Sequence, residues 1–315
     1  MAELEACVEI ASSKSEAQQK GPGFAVFELE EGEVRSTIER LALTHRAGTY
    51  LGSCPLDDLR SFCSKLELPD GTVAVRVKRF EGRGTPDQAN SIMRITGEAV
   101  SRSRKIDLTH PDIRLRVLLS EDLHFYLDEN RVDRDQYERR HVRSRPFFSP
   151  ISLHPRYARA LVNLTGVRRG QTLLDPFCGT GGILMEAALV GAKAIGSDIS
   201  GVMIEGCKEN MSYFGAEWDR LEAIDIGEVP DHIGEVDAVA TDPPYGRSAS
   251  TMREPVRELH QRGLAAISQC LKPWGLAGVV LPYPCSSKGP LNMLQSHMQR
   301  VHRSLDRHYC ILKRC

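Results

Sequence analysis

Apolar and polar residues alternate with period two along GFAVFELE (residues 23–30), TVAVRVKRF (72–80) and DIRLRVLLS (112–120), the pattern of half-buried strands. Between them, DQANSIMRITGEAVSRS, from Asp87, brings Ile92, Ile95 and Ala99 near one helical face. PLDDLRSFCSKL, from Pro55, opens with a proline and acids suited to a first helical turn. The part of the chain before about Arg145 is therefore expected to be α+β. After Arg145 the pattern changes to apolar runs separated by helical segments: TLLD (172–175), AKAIGSD (192–198), LEAID (221–225), VDAVATD (236–242) and LAGVVLP (276–282). This succession predicts an α/β domain, a mainly parallel sheet covered on both faces with right-handed crossovers. Ligands of such sheets sit at the carboxyl ends of the strands, where Asp175, Asp198, Asp225 and Asp242 each close one run.

The 315 residues, 41% hydrophobic, are enough for two or three domains. The longest apolar stretches, such as LAGVVL (276–281), are far below the roughly 20 residues of a membrane span, and the acidic start MAELEACVEI does not have the form of a secretory signal. A cytoplasmic protein with no membrane partner is expected. Nine cysteines without a C-x-x-C pair predict reduced thiols, no disulfide framework and no intrinsic metal site. The net charge of −1 conceals an uneven distribution. Residues 1–71 carry 7 basic and 13 acidic side chains, whereas residues 72–118 carry 10 basic and 5 acidic. NRVDRDQYERRHVRSR (130–145) adds six arginines against three acids, with Tyr137 and His141 available to stack, and reads as an exposed linker or linking helix. Together the two blocks predict a polyanion-binding surface.

DPFCGTGGILMEAAL, from Asp175, is a strand end, a glycine turn and a helix start. The dinucleotide fingerprint requires G-x-G-x-x-G directly after the strand, and a phosphate-binding P-loop requires Lys before Ser or Thr; neither is present. The expected ligand is a nucleoside without a pyrophosphate. Asp198 is placed for ribose hydroxyls, Asp225 for an adenine amine between Ile199 and Ile226, and Asp175 for a positively charged end. These requirements describe S-adenosylmethionine. TDPPYGRSAS (241–250) by itself reads equally well as a surface turn ending at Gly246. Its two prolines, however, hold Asp242-Pro243-Pro244-Tyr245 extended beside a strand end and leave acceptors free.

DPFCGTGG, GSDI, AID and TDPPYG together resemble the class I S-adenosylmethionine-dependent amino-methyltransferases, which have a Rossmann-like fold. RPFFSPISLHPRYARALVNL (145–164) with the cofactor loop is similar to the archaeal tRNA guanine-N2 methyltransferases that modify guanine 10. The basic block and DLTHPDIRLRVLL (107–119) resemble their THUMP domain, preceded by a ferredoxin-like domain. The resemblance implies a ferredoxin-like domain at 1–65, THUMP at 66–130, an Arg-rich linker at 131–148 and the methyltransferase domain at 149–315. It implies a cofactor site of Asp175, Phe177, Cys178, Gly179, Thr180, Gly181, Asp198, Ile199, Asp225 and Ile226. Asp242, Pro243, Pro244 and Tyr245 would be catalytic: the Asp242 carboxylate and Pro243 carbonyl would take the two N–H bonds of the guanine amine while Tyr245 stacks on the base. tRNA is the implied partner, with a small zinc-binding activator protein adding to a sheet edge. DNA adenine or protein glutamine methylation uses the same D/N-P-P-Y chemistry, and a non-catalytic RNA-binding scaffold is a further alternative. His154, in LHPRY, is expected to cap a helix rather than act as a base.

Overall fold

The computed structural model describes residues 1–12, 16–80, 82–149, 152–246, 254–285, 290–303 and 305–314. The chain forms two compact units and passes between them more than once. One holds residues 15–30 and 44–132 together with Met1; the other holds residues 2–14, 31–43 and 133–315.

In the first unit a four-stranded sheet runs in the order Tyr50–Cys54, Leu123–Leu127, Ile113–Leu119, Val73–Arg79. The last two strands are parallel, with Val75 beside Leu115, and the helix Pro86–Val100 lies between them in the chain. The helix begins at a reciprocal capping box of Thr85 and Gln88, and Ile92, Thr96 and Val100, four residues apart, form its buried stripe. Ile92 and Val100 share a core with Val73, Val75, Leu115, Val117 and Phe125. The alternation that hides Val73 and Val75 leaves Arg76 and Lys78 exposed, and Arg79 is exposed where the strand ends, so the basic block faces water.

The second unit is built on a seven-stranded sheet. In chain order its strands are β1 (Thr172–Asp175), β2 (Lys193–Asp198), β3 (Arg220–Ala223), β4 (Val236–Thr241), β5 (Leu271–Leu281), β6 (Leu291–His302) and β7 (Leu305–Arg314). Their spatial order is 3-2-1-4-5-7-6. The first five are parallel, and β7 runs antiparallel to both β5 and β6. Successive residues point to opposite faces, so Leu173 enters one core with Ala194, Ala238 and Val280, while Leu174 enters the other with Ile195, Val239 and Val279. β5 starts five residues before the expected LAGVVLP. The extra segment contains Trp274 at φ +66°, and pairing with β4 jumps from Val236–Leu271 to Ala238–Leu276 across it. Strand order reverses between β1 and β4, which opens a crevice at their carboxyl ends.

One compact unit ends at Val132, beside the expected boundary at 130, whereas neither unit begins or ends at 65 or 148. Helices Ala2–Ala11 and Glu31–Arg40 belong to the second unit, so residues 1–65 are not one contiguous domain. A buried polar knot holds them there. Glu3 accepts from Ala42 N and Leu43 N, both at 2.8 Å, and from Asn163 Nδ2 at 3.0 Å, while Arg40 Nε donates to Asn163 Oδ1 at 3.2 Å. Nor is 131–148 an exposed linker. Tyr137 is fully buried and donates to Leu41 O at 3.0 Å, so it does not stack on a ligand. Arg140 makes a two-pronged bond to buried Glu186, at 2.7 and 3.1 Å, and Arg159 joins the same carboxylate at 2.9 Å. A buried carboxylate requires such counter-ions, and the arginines that supply them are unavailable to a polyanion. Arg139 and Arg143 remain exposed.

Candidate active site

The cofactor loop takes its shape from four hydrogen bonds donated by backbone N–H groups, two to carboxylates and two to carbonyls. β1 ends at Asp175, whose Oδ1 accepts from Phe177 N at 3.1 Å. Cys178 N reaches Ser197 O of β2 at 2.9 Å, Gly181 N closes a turn on Cys178 O at 2.8 Å, and Gly179 N donates to Asp198 Oδ2 at 3.0 Å. Gly179 and Gly181 have φ of +48° and +81°, the left-handed region that favours glycine. Their surroundings differ. A Cβ on Gly179 would meet nothing within 4 Å, whereas one on Gly181 would lie 2.6 Å from Cys207 Sγ. The loop therefore presents open space at Gly179, where a nucleoside can approach the backbone.

The other cofactor candidates are not equally free. Asp198 Oδ1 accepts from Ser200 N at 2.9 Å, so one of its oxygens braces the cofactor loop and the other the turn after β2, while burial raises its pKa. Asp225 lies two residues past β3 and is ion-paired with Arg262 of the helix Val256–Cys270, which also holds Glu254 at 2.7 Å. An adenine amine there would have to share that carboxylate with a guanidinium. Ile199 is 45% exposed, but Ile226 is only 4% exposed and packs with Leu174 and Ile195. The side chains of Cys178 and Thr180 are turned inward, and Thr180 Oγ1 accepts from buried Arg145 at 3.3 Å. The ring of Phe177 lies against Gly263, within 3.3 Å of where a Cβ would sit.

Thr241, the last residue of β4, donates its hydroxyl to Asp175 Oδ1 at 2.6 Å. That bond joins the cofactor loop to TDPPYG at the point where the strand order reverses. Burial pushes the Asp175 carboxyl up to about 7, with the charges of Asp242 and Asp198 adding to the effect. Burial also pushes Asp242 up to about 6, against the pull of Arg307 on β7. The Tyr245 hydroxyl donates to Asp242 Oδ1, and burial raises its own pKa. Among the described residues the Pro243 carbonyl accepts no hydrogen bond, whereas the Pro244 carbonyl is taken by His260. The rest of the quoted stretch, Arg247 to Ser250, lies outside the described residues.

Four residues that belong to no motif enter the candidate site. They are His260, Arg262, Tyr283 and Arg307, whose Nε is buried without a hydrogen-bond partner among the described residues. Tyr283, two residues beyond β5, offered the only clue, a polar residue just past a strand's carboxyl end. His154 does cap the helix Pro155–Leu164, accepting from Arg156 N at 3.2 Å.

A family model described as RMKL-like, methyltransferase domain, matches residues 142–285, which span the cofactor loop and TDPPYG. The tRNA (guanine(10)-N2)-dimethyltransferase of Methanothermobacter thermautotrophicus is 31% identical over 311 residues, covering 94% of this chain and 90% of the relative. The chain belongs to this family. A second member of the tRNA (guanine(10)-N2)-dimethyltransferase family, from Pyrococcus abyssi, is 32% identical, covering 88% of this chain and 85% of that one. The crystal structure of TrmN from Thermus thermophilus shares the fold, with a TM-score of 0.54 at 22% identity, covering 91% of this chain and 87% of that one. Relatives of this family are thus alike across both units, not only across the sheet that carries the site. Among the described residues no helix is long and apolar enough to cross a membrane.

Proposed function

We propose that this protein uses S-adenosylmethionine to methylate the exocyclic N2 amine of guanine 10 in tRNA, once or twice, as a cytoplasmic enzyme. The observation that best supports the reading is the Thr241–Asp175 bond, which ties TDPPYG to the end of the strand that carries the glycine loop. Open space at Gly179 and the carboxylates of Asp175, Asp198 and Asp225 fit a cationic nucleoside without a phosphate. S-adenosylmethionine supplies an electrophilic methyl group on a cationic sulfur.

The guanine N2 lone pair is delocalised into the ring, so the enzyme must orient the amine before it can react. The Asp242 carboxylate and the Pro243 carbonyl accept its two N–H bonds, and the lone pair is turned toward the methyl group. Tyr245 stacks on the base after its hydroxyl releases one Asp242 oxygen. As the nitrogen forms the new bond, the methyl–sulfur bond of the cofactor would break and S-adenosylhomocysteine would leave, and the nitrogen would then give up one proton. Asp242, which burial makes more basic than an ordinary carboxylate, is able to take it. In folded tRNA the base must first be flipped out.

The first unit corresponds to the THUMP-like region, and its exposed Arg76, Lys78 and Arg79 supply phosphate contacts. A small zinc-binding activator at a sheet edge completes the proposal by speeding the chain's own methyl transfer; a rate unchanged when it is added would remove that part. The test of the whole is nucleoside mass spectrometry after incubating the protein with labelled S-adenosylmethionine and tRNA, DNA or protein. N2-methylguanosine or N2,N2-dimethylguanosine at position 10 is expected. Label in adenine or glutamine, or in nothing, overturns it.

A further inference from the structure

We infer that His260 is a positioning residue of the methyl-transfer site: by holding the Pro244 carbonyl it sets the aim of Tyr245 and leaves the Pro243 carbonyl for the target amine. The inference rests on the reading of TDPPYG as the transfer site. His260 is 3% exposed and sits in the helix Val256–Cys270. Its Nε2 lies 3.0 Å from Pro244 O and its Nδ1 lies 2.7 Å from the Tyr283 hydroxyl. A carbonyl can only accept, so Nε2 carries the proton and Nδ1 accepts from Tyr283. Both ring nitrogens are therefore committed in a single tautomer. A ring in that state takes no proton from a substrate, which excludes a general-base role and leaves an orienting one.

The effect follows from backbone geometry. Pro243 and Pro244 have fixed φ, so the peptide planes after them are the remaining soft variables. Pinning Pro244 O fixes the plane leading into Tyr245, and with it the start of the ring that must lie on the base. Gly246, the next residue, has φ +94° and imposes little restraint of its own. The same helix grips the turn a second time, because a Cβ on Gly246 would lie 2.4 Å from Val256 Cγ2. Tyr283 is held in turn by Arg257, whose guanidinium stands 5.2 Å from its ring centre. Burial lowers the His260 pKa and so favours the neutral ring that this arrangement needs.

Single-turnover methyl transfer to tRNA, with cofactor and tRNA saturating, tests the inference on the full chain beside S-adenosylhomocysteine calorimetry and thermal melts. His260→Ala is expected to slow transfer by ~30-fold or more, with cofactor and tRNA affinities within about twofold, since misaimed groups cost rate rather than binding. His260→Gln, whose amide N–H reaches the same carbonyl, should recover to within about fivefold of the parent. Tyr283→Phe, which keeps the ring and removes only the hydroxyl, should slow transfer ~3- to 10-fold and still fold. Normal transfer per folded molecule in His260→Ala, even with a lowered melting point, would overturn the inference and make His260 a core histidine. An equally slow His260→Gln would also overturn it. Asp242→Ala run in parallel separates the two layers: if it transfers normally, the site reading itself is wrong. If it is inactive while the His260 variants are normal, only the positioning role fails.

Discussion

Asp242 is the residue at which geometry and charge can be separated. Asp242→Asn keeps a carbonyl oxygen beside Tyr245 and should retain measurable single-turnover transfer, whereas Asp242→Ala removes the acceptor and should abolish it. Equal inactivity of the two would mean that proton removal, not orientation, is the main task. The second prediction at this scale concerns pH. Asp175 and Asp242 are held near 7 and 6, above the ordinary 3.8, so each contributes stability in full below its unfolded pKa and loses it as pH rises through the folded value. Between about pH 4 and 7 the ligand-free protein should therefore melt at progressively lower temperature on account of these groups, the decline levelling off above pH 7. Asp175→Asn should flatten that decline. Carboxylates held low, such as Asp128 and Asp237, titrate below this window and do not mask it. A cationic ligand favours the ionised form, so S-adenosylmethionine should raise the melting point more at pH 8 than at pH 6. The opposite order would place its positive end elsewhere. At this scale TDPPYG and the four strand-end acids were legible in the sequence, since proline torsions and strand ends are local properties. Arg262 on Asp225 and His260 on Pro244 were not, being 37 and 16 residues from their partners with no periodic relation to them.

At the scale of elements, the cofactor loop makes a forecast that contrasts two glycines. Both sit at positive φ, so alanine at either costs backbone strain on the order of 1 kcal/mol. Gly181→Ala also drives a methyl into Cys207 and should lower the melting point markedly. Gly179→Ala places its methyl in open space and should fold nearly as well, yet weaken cofactor binding, because that is the space proposed for the nucleoside. Calorimetry and melting of both variants check this; unchanged affinity in Gly179→Ala would move the cofactor off the loop. The sequence marked both glycines alike. Only the helix Gly201–Tyr213, which brings Cys207 under one of them, makes them different.

For the whole molecule, the arginine-rich stretch divides by burial. Arg139 and Arg143 are exposed, so replacing both with alanine should change stability by no more than about 0.5 kcal/mol. It should also flatten the salt dependence of tRNA binding by roughly one unit of slope per lost phosphate contact. Arg140→Ala strips one partner from buried Glu186 and should cost on the order of 3 kcal/mol without altering the slope. A changed slope with unchanged stability would return Arg140 to the binding surface.

The succession of strands and helices, the parallel sheet and the acids at its carboxyl edge were determined by the sequence itself. Side-chain alternation, helical periodicity and the torsions of Gly and Pro act over a few residues, and TLLD was located to the residue. What the tertiary structure alone decided was which polar groups are buried together. Glu3 meets Asn163 across 160 residues, Arg40 meets the same side chain across 123, and Arg140 meets Glu186 across 46. No local pattern encodes such pairings. A buried charge is tolerated only where the whole chain brings a partner, so the same arginine that reads as a solvated cation in sequence becomes a structural counter-ion once Glu186 is enclosed.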